Sequence, residues 1–290
     1  MSEPGRPPIE LLFDALLETP LLHAPGTRIY ALLKAVARAE IEPRFAGADA
    51  VPADLGRLGT LCLPYHRMGA VDSLDLFGLD ELIILLFYWC NRARYRRAVD
   101  IGANLGLHTL VLARCGLAVK AFEPDPHHFA LLERNLALNG VAGVEVHNTA
   151  VSMEDGETTF VRVLGNTTGS HLLGSKDSYG ERQYFAVRTE AARPLFEWAD
   201  LVKIDAEGHE AAILLTTDTA DWKSTDAIVE IGSEANAKAV YGHLSGLGLG
   251  LFAQRVGWRR VERASEMPTS HRDGSLFVSL ADRMPWPSPS

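Results

Sequence analysis

Residues 97–106 read Arg-Ala-Val-Asp-Ile-Gly-Ala-Asn-Leu-Gly. The apolar side chains between Ala98 and Ile101 predict a buried strand, which ends in a turn that contains Gly102 and Gly106. Glycine has no Cβ, so the backbone of such a turn can bend sharply and lie against a ligand. We therefore interpret this stretch as the strand, turn and helix start of an α/β unit that binds a nucleoside.

An acidic residue follows at the spacing that ribose recognition requires. After a predicted helix over 106–115 and a predicted strand over 119–122, the chain reads Phe122-Glu123-Pro124. Glu123 lies 21 residues after Gly102. A carboxylate about 20 residues past a glycine turn accepts hydrogen bonds from ribose hydroxyls in nucleotide-binding sheets. The spacing therefore predicts a nucleoside-containing cofactor at the carboxyl edge of a parallel sheet.

The glycine turn departs from the G-x-G-x-x-G pattern that cradles a pyrophosphate. Asn104 stands where the middle glycine would be, and the third glycine is missing at Leu107. A cofactor without phosphate tolerates both changes, and S-adenosylmethionine has ribose hydroxyls and no phosphate. The turn favours that cofactor, and an NAD-type dinucleotide oxidoreductase stays as an alternative.

Strand and helix patterns alternate from residue 98 onward, which predicts an α/β fold with a parallel sheet and helices on both faces. A helix over 79–95 precedes the first strand. The predicted strands are 98–101, 119–122, 144–147, 201–204, 227–231, 249–254 and 275–280, and the helices are 106–115, 126–139, 208–215 and 234–245. The last two strands are joined by a loop, so one of them is predicted to run antiparallel. Residues 158–163 and 184–188 predict an additional β region.

A second motif, residues 201–210, reads Leu-Val-Lys-Ile-Asp-Ala-Glu-Gly-His-Glu. Four acid–base groups fall within six residues at the end of a predicted core strand: Asp205, Glu207, His209 and Glu210. Clustered carboxylates raise one another's proton affinity, which suits a general base. Acids at the positive end of a helix dipole are the alternative explanation, and it accounts for Glu207 and Glu210 better than for Asp205.

Three motifs in this order, V-D-I-G-A-N-x-G-x-x-T, F-E-P and V-K-I-D-x-E-G-x-E, resemble the FkbM family of S-adenosylmethionine-dependent methyltransferases. The resemblance covers roughly residues 75–235. It implies a class I methyltransferase (Rossmann-like) fold with a seven-stranded, mostly parallel sheet and an antiparallel C-terminal strand. It also implies O-methylation of a hydroxyl on a sugar, glycolipid or natural product.

The resemblance also implies roles for individual residues. Glu123 would hold the ribose hydroxyls, Asp205 would lie beside the methionine moiety, and Glu207 would face the acceptor. Residues 166–170 resemble the polar loop that this family has near the cofactor. The cofactor-binding candidates are Asp100, Gly102, Ala103, Asn104, Gly106, His108, Glu123, Pro124, Asp205 and Glu81.

Methyl transfer to a hydroxyl needs a base whose pKa lies near neutrality. We predict Asp205, Glu207 and His209 as the catalytic residues, with His108 and His171 as further candidate bases. Asp205 and Glu230 could together bind a divalent cation through oxygen ligands, but we expect no metal. The alternative to an enzyme is a non-catalytic, methyltransferase-like binding protein.

Composition limits the class of protein. The 290 residues are 47% hydrophobic and 22% charged, with a net charge of −9, which is typical of a globular protein and argues against a nucleic-acid binder. Three well-separated cysteines predict neither a disulfide framework nor a metal site, as expected for a cytoplasmic protein. The start of the chain has no signal-peptide pattern, and the longest apolar run, 82–90, is too short to cross a bilayer.

We predict three parts of the chain. Residues 1–72 form a helical N-terminal extension, since Ile29, Leu32, Leu33 and Val36, among others, recur at helical spacing. We expect this extension to act as a cap or as a homodimer contact. Residues 73–283 form the methyltransferase domain, and 284–290 form a disordered tail.

Overall fold

The computed structural model describes residues 6–177 and 180–287. The strands are β1 Ala53–Asp54, β2 Thr60–Leu61, β3 Arg97–Ile101, β4 Ala118–Phe122, β5 Glu145–His147, β6 Ala150–Ser152, β7 Gly156–Val163, β8 His171–Leu172, β9 Arg182–Ala191, β10 Leu201–Ile204, β11 Asp226–Glu230, β12 Gly250–Ala253, β13 Arg259–Arg260 and β14 Ser275–Ser279. The α-helices are α1 Pro8–Glu18, α2 Arg28–Phe45, α3 Leu79–Cys90, α4 Leu107–Arg114, α5 Pro126–Leu138, α6 Arg193–Trp198, α7 Glu210–Leu214 and α8 Glu234–Gly246.

The central sheet has the strand order β13-β12-β14-β11-β10-β3-β4-β5. The five strands from β11 to β5 are parallel, and β14 runs antiparallel between β11 and β12. The mostly parallel sheet predicted from the alternating pattern is therefore confirmed, with its antiparallel strand at β14. The sheet has eight strands rather than seven, because the two-residue strand β13 adds to the edge at β12.

The predicted additional β region forms a sheet of its own, with the order β6-β9-β7-β8. The connection between β7 and β9 returns to the N-terminal part of the chain. There, the amide of Ala70 donates to the carbonyl of Gly165, and the amide of Thr167 donates to that of Met68. The second sheet and the segment around residues 68–70 therefore lie against each other beside the central sheet.

Helix α3 is buried along almost its whole length, as its continuous apolar sequence requires, and it covers one face of the sheet. It ends at Cys90, five residues before the predicted end. At this end, the carbonyl of Phe87 accepts from both the backbone amide and the side-chain amide of Asn91.

The N-terminal helices α1 and α2 share one apolar core with α3 and the sheet. On α2, however, the buried side chains are Tyr30, Ala37, Ile41 and Phe45. Ile29 and Leu32, which belong to the apolar spacing seen in the sequence, are 53% and 63% exposed. Two apolar stripes compete on this helix, and the stripe that includes two aromatic rings is the one that packs inward.

The C-terminal tail is ordered as far as Pro287, contrary to the disorder predicted for 284–290; residues 288–290 lie outside the described part. Met284 is buried, and the Trp286 ring packs edge-on against His23 and Phe87. The apolar side chains in this proline-rich segment complete the core that α3 begins. Among the described residues, no helix is long and apolar enough to span a bilayer.

Candidate active site at the carboxyl ends of the parallel strands

The glycine turn after β3 is held against β4 and β10. The amides of Gly102 and Ala103 both donate to the carbonyl of Phe122, at 2.9 and 3.0 Å. Gly102 has φ +74°, and a Cβ built on it would lie 1.8 Å from the carbonyl oxygen of Asp205. A Cβ on Gly106, with φ +85°, would lie 2.3 Å from the side chain of Leu132. Both positions therefore require glycine.

Asn104 occupies the middle of this turn with φ +52°, a conformation that asparagine tolerates better than most residues. Its amide donates to Glu123 Oε2 at 2.8 Å. Its side-chain oxygen Oδ1 is buried and has no hydrogen-bond partner among the described residues. A buried acceptor without a donor is costly, so this oxygen suits a donor group on a ligand.

Glu123 is 5% exposed and lies at the end of β4 beside Pro124. Its second oxygen, Oε1, accepts a hydrogen bond from the amide of Asp125 at 2.8 Å. Burial raises the pKa of Glu123 to about 8, although the two backbone donors favour the ionised form. A ligand that donates hydrogen bonds to this carboxyl would favour its ionisation further.

An ion pair joins the second sheet to the start of α5. Asp125 caps that helix by accepting from the amide of His127 at 2.8 Å, and Arg162 of β7 donates to both Asp125 oxygens. Beside this pair, the His128 ring lies 3.0 Å from the Thr167 hydroxyl, and burial lowers the His128 pKa to about 4. These contacts fix a polar wall opposite the glycine turn.

The second motif places Asp205 and Glu207 directly after β10. Glu207 has φ +49°, a strained conformation for a residue with a Cβ, and its carboxylate pairs with Lys176. Burial and the neighbouring charge of Asp205 raise the pKa of Glu207 to about 7, against the opposing effect of Lys176. This carboxyl can therefore gain and lose a proton near neutrality.

Glu210 shapes the turn and lies at the edge of a cavity near Lys176 and Glu230. It is buried, and its Oε1 accepts from the amides of Ala206 and Gly208 at 3.1 and 2.8 Å. Its Oε2 accepts from the Asn236 side chain at 2.9 Å. The helix-start explanation of the acidic cluster thus applies to Glu210, because both of its oxygens already accept hydrogen bonds from the protein.

The candidate histidines are all hydrogen-bonded. The two ring nitrogens of His209 lie 2.9 and 3.0 Å from the hydroxyls of Ser152 and Ser175, and burial lowers its pKa. His108 lies between Tyr88 (3.1 Å) and Glu81 (2.7 Å), away from the two cavities described below. The pair of His108 and Glu81 therefore joins the start of α4 to the start of α3. His171 lines the first cavity, with Nδ1 3.0 Å from the carbonyl of Gly169.

The structure adds a residue that sequence reasoning overlooked. Lys203 lies beside Asp100 in the register of β10 and β3, and its Nζ donates to the carbonyl of Gly102 at 3.2 Å. Nζ is also 3.6 Å from Asp100 Oδ1 and from Asp205 Oδ2. Burial alone would lower the Lys203 pKa, but the surrounding carboxylates raise it above its ordinary value. The sequence signal was a lysine within an apolar core strand.

Two cavities meet at the ends of these strands. The first lies between the glycine turn and the second sheet, and Glu123, Pro124, Asp125 and His128 are among its lining residues. The second, of about 450 Å³, lies between residues 68–76, residues 166–176 and the end of β11. The residues common to both are Asn104, Thr168, Asp205 and Glu207.

Glu230 lines the second cavity and also a third, of about 830 Å³, which Glu81 and helix α2 share. Burial and the charges of Asp205, Glu81 and Glu207 raise the pKa of Glu230 well above its ordinary value. Across the described part of the chain, no group of three or more histidine, cysteine or carboxylate side chains is placed to hold a metal ion.

The sequence model of the methyltransferase FkbM domain matches residues 100–246, half of the chain, from the buried aspartate of β3 to the end of α8. The chain belongs to the FkbM methyltransferase family. The resemblance seen in the three motifs is thereby confirmed, and with it the class I methyltransferase fold. The dinucleotide oxidoreductase alternative does not agree with this family.

Two fungal proteins are similar to this FkbM chain. Methyltransferase 1 of Beauveria bassiana is 28% identical over 188 residues, which cover 55% of this chain and 74% of that protein. Methyltransferase sdnD of Sordaria araneosa is 30% identical over 165 residues, covering 45% and 64%. Among solved structures, an S-adenosylmethionine-dependent methyltransferase from Agrobacterium tumefaciens aligns with a TM-score of 0.42 at 9% identity, covering 81% of this chain and 71% of that chain.

Proposed function

We propose that this protein is an S-adenosylmethionine-dependent methyltransferase that methylates a hydroxyl group of a small molecule, such as a sugar, a glycolipid or a natural product. The observation that carries the proposal is the junction of two cavities at Asp205 and Glu207. One cavity presents the groups that recognise a nucleoside. The other leads to a carboxyl group whose pKa is about 7.

The first cavity suits the cofactor by its donor and acceptor groups. Glu123 offers carboxylate oxygens to the ribose hydroxyls, and the buried Oδ1 of Asn104 offers an acceptor that the protein itself leaves unused. Gly102 exposes bare backbone there because a Cβ would collide with Asp205. When bound, S-adenosylmethionine supplies an electrophilic methyl group on a positively charged sulfur. The negative charge of the Asp205 carboxylate would favour the binding of this sulfur.

Glu207 is the proposed general base. The Glu207 carboxylate would accept the proton of the acceptor hydroxyl, and the bound cofactor would supply the methyl group and retain the electron pair of its S–C bond as a neutral thioether. The ammonium group of Lys176 favours the ionised form that accepts the proton. Asp205 lies at the same junction and helps to orient both reactants.

The residues around the second cavity support a role for the N-terminal extension as a cap. Residues 68–76 form one wall, and the connection that contains Asn166 and Lys176 forms another. These walls contact each other through the bridge between Gly69 and Asn166. We propose that this polar enclosure selects the acceptor; a homodimer contact through the extension stays a second proposal.

Calorimetry with S-adenosylmethionine and with its demethylated product tests the donor directly. Failure of the wild-type protein to bind either one would overturn the proposal, and a thermal shift with NAD alone would restore the dinucleotide alternative. A screen for labelled methyl transfer to sugars, glycolipids and polyketides, read by mass spectrometry, then tests the acceptor class. Transfer that Glu207→Gln abolishes would exclude a non-catalytic binding protein, whereas methylation of nitrogen alone would contradict the O-methylation proposal.

A further inference from the structure

Lys203 brings a positive charge to a buried group of acidic side chains. Its Nζ is 3.6 Å from the nearest oxygens of Asp100 and Asp205. The charges of Glu81 on α3 and Glu230 at the end of β11 also raise the pKa of Lys203. Glu81 is itself paired with His108. Lys203 therefore connects the strand that leads into the glycine turn, β3, with the acidic residues that follow β10.

Asp100 lies beneath the site and does not line either of the two cavities that meet there. It is fully buried, and its Oδ2 accepts a hydrogen bond from the Thr109 hydroxyl at 2.6 Å. Its Oδ1 has no hydrogen-bond partner among the described residues, so Lys203 Nζ at 3.6 Å provides its compensating charge. Because a buried unpaired carboxylate is costly, the ammonium group is held in this place from below.

From this anchored position, Lys203 reaches both sides of the junction. It donates to the carbonyl of Gly102 in the glycine turn. It also faces Asp205, which lines both cavities. The closeness of Gly102 to the Asp205 backbone leaves little room for either segment to move. A charge fixed at this point attracts the Asp205 carboxylate and restricts its orientation.

We propose that Lys203 is a positioning residue for methyl transfer. Anchored by Asp100, it holds the Asp205 carboxylate in place at the junction of the two cavities. This role rests on the proposed function, because the Asp205 carboxylate that Lys203 holds would favour a cofactor whose sulfur is positively charged. After transfer the sulfur is a neutral thioether, so the same carboxylate favours the donor over the product.

A double-mutant cycle distinguishes this role from simple neutralisation of Asp100. Affinities for S-adenosylmethionine are measured by calorimetry for the wild type, Lys203→Met, Asp205→Asn and the double variant, at pH 6 and pH 8. We expect Lys203→Met to weaken binding about tenfold at both pH values, because the Asp205 carboxylate is then no longer held at the junction. In the Asp205→Asn background, the same change should have little effect.

The demethylated product gives a second comparison, since its affinity should fall less than that of the donor in Lys203→Met. Lys120→Met is the matched control, because Lys120 lies on the neighbouring strand β4 and pairs with Glu145 at 3.3 Å. Its affinities should equal those of the wild type. Equal losses from Lys203→Met in both backgrounds, or no loss at all, would overturn the proposal.

A variant that does not fold and a wild type that does not bind the donor are each tested separately. If Lys203→Met does not fold, Lys203→Arg decides. It retains the charge and should bind the donor within about threefold of the wild type. A folded arginine variant as weak as Asp205→Asn would overturn the proposal.

If the wild type itself does not bind S-adenosylmethionine, the proposed function fails. Cofactor-free unfolding then tests Lys203 alone. Without the lysine, the buried Asp100 carboxylate loses its compensating charge, so Lys203→Met should lower Tm, and Asp100→Asn should lower it less in the Lys203→Met background than in the wild type. Equal losses from Asp100→Asn in both backgrounds would contradict the role.

Discussion

The backbone of Gly102 lies so close to Asp205 that a Cβ at position 102 would sit 1.8 Å from the Asp205 carbonyl oxygen. These two residues are the ends of adjacent parallel strands, and they belong to two motifs separated by about a hundred positions in the chain. Their contact brings the glycine turn after β3 and the acidic residues after β10 into one site. It also explains why the first position of the turn must be glycine.

Replacing Gly102 with alanine should therefore destabilise the protein and abolish cofactor binding. We expect a loss of about 2–4 kcal/mol in the free energy of unfolding, from the left-handed conformation together with the steric overlap. Urea unfolding measures it. Gly116→Ala is the control, because Gly116 has φ +88° with no atom within 4 Å of the added Cβ. It should cost only about 1 kcal/mol; equal losses would show that overlap with Asp205 is unimportant.

Cofactor binding should release a proton from Glu123. Burial raises its pKa to about 8, so the free protein is mostly protonated there at pH 7, and ribose hydroxyls that donate to the carboxylate would favour its ionisation. Calorimetry in two buffers of different ionisation enthalpy measures the release. It should approach one proton per cofactor at pH 7 and vanish in Glu123→Gln. Identical proton release from both proteins would assign it to another group.

The same shift has a consequence for stability without cofactor. A carboxyl whose pKa is higher in the folded than in the unfolded state stabilises the fold at low pH, and this stabilisation is lost as pH rises through about 8. Wild type should therefore lose stability relative to Glu123→Gln between pH 5 and pH 9. Thermal unfolding across this range is the measurement, and a constant difference would contradict the raised pKa.

Methyl transfer should depend on the ionisation of Glu207. Since burial and Asp205 raise its pKa to about 7, kcat/KM should rise with pH through that value. Glu207→Gln should lower kcat by at least about 100-fold. Lys176→Met removes the charge that lowers the Glu207 pKa, so its rise should shift to higher pH. An unshifted profile in Lys176→Met would argue that another group is the base.

Glu210 should matter for stability more than for chemistry. Its carboxylate accepts from the amides of Ala206 and Gly208 and from the Asn236 side chain. Glu210→Ala would leave these donors unpaired in a buried turn, and we expect a loss of about 2–4 kcal/mol. Glu234→Ala, at an exposed position in the first turn of α8, is the control for a lost helix-terminal acid. Similar urea midpoints for the two variants would contradict this account.

Local patterns in the sequence predicted the order of strands and helices around the site. The strand at 98–101, the turn glycines and the acid at Glu123 follow from backbone sterics and from a fixed spacing, which short segments of chain determine. The family could be identified because three such segments occur in one order. The exposed stripe of α2 and the packed residue Trp286 could not be predicted, since which apolar face is buried depends on its neighbours in space.

Within the site, the residue types were predictable and their tasks were not. The sequence by itself placed Asp100, Asp205, Glu207, His209 and Glu210 near the carboxyl ends of parallel strands. Only the tertiary structure showed that the Glu210 carboxylate accepts hydrogen bonds from backbone amides and that both ring nitrogens of His209 are hydrogen-bonded to serine hydroxyls. It also placed Lys203 between Asp100 and Asp205. Burial and charge pairing arise from segments far apart in the chain, and they determine which carboxyl group is free to take a proton.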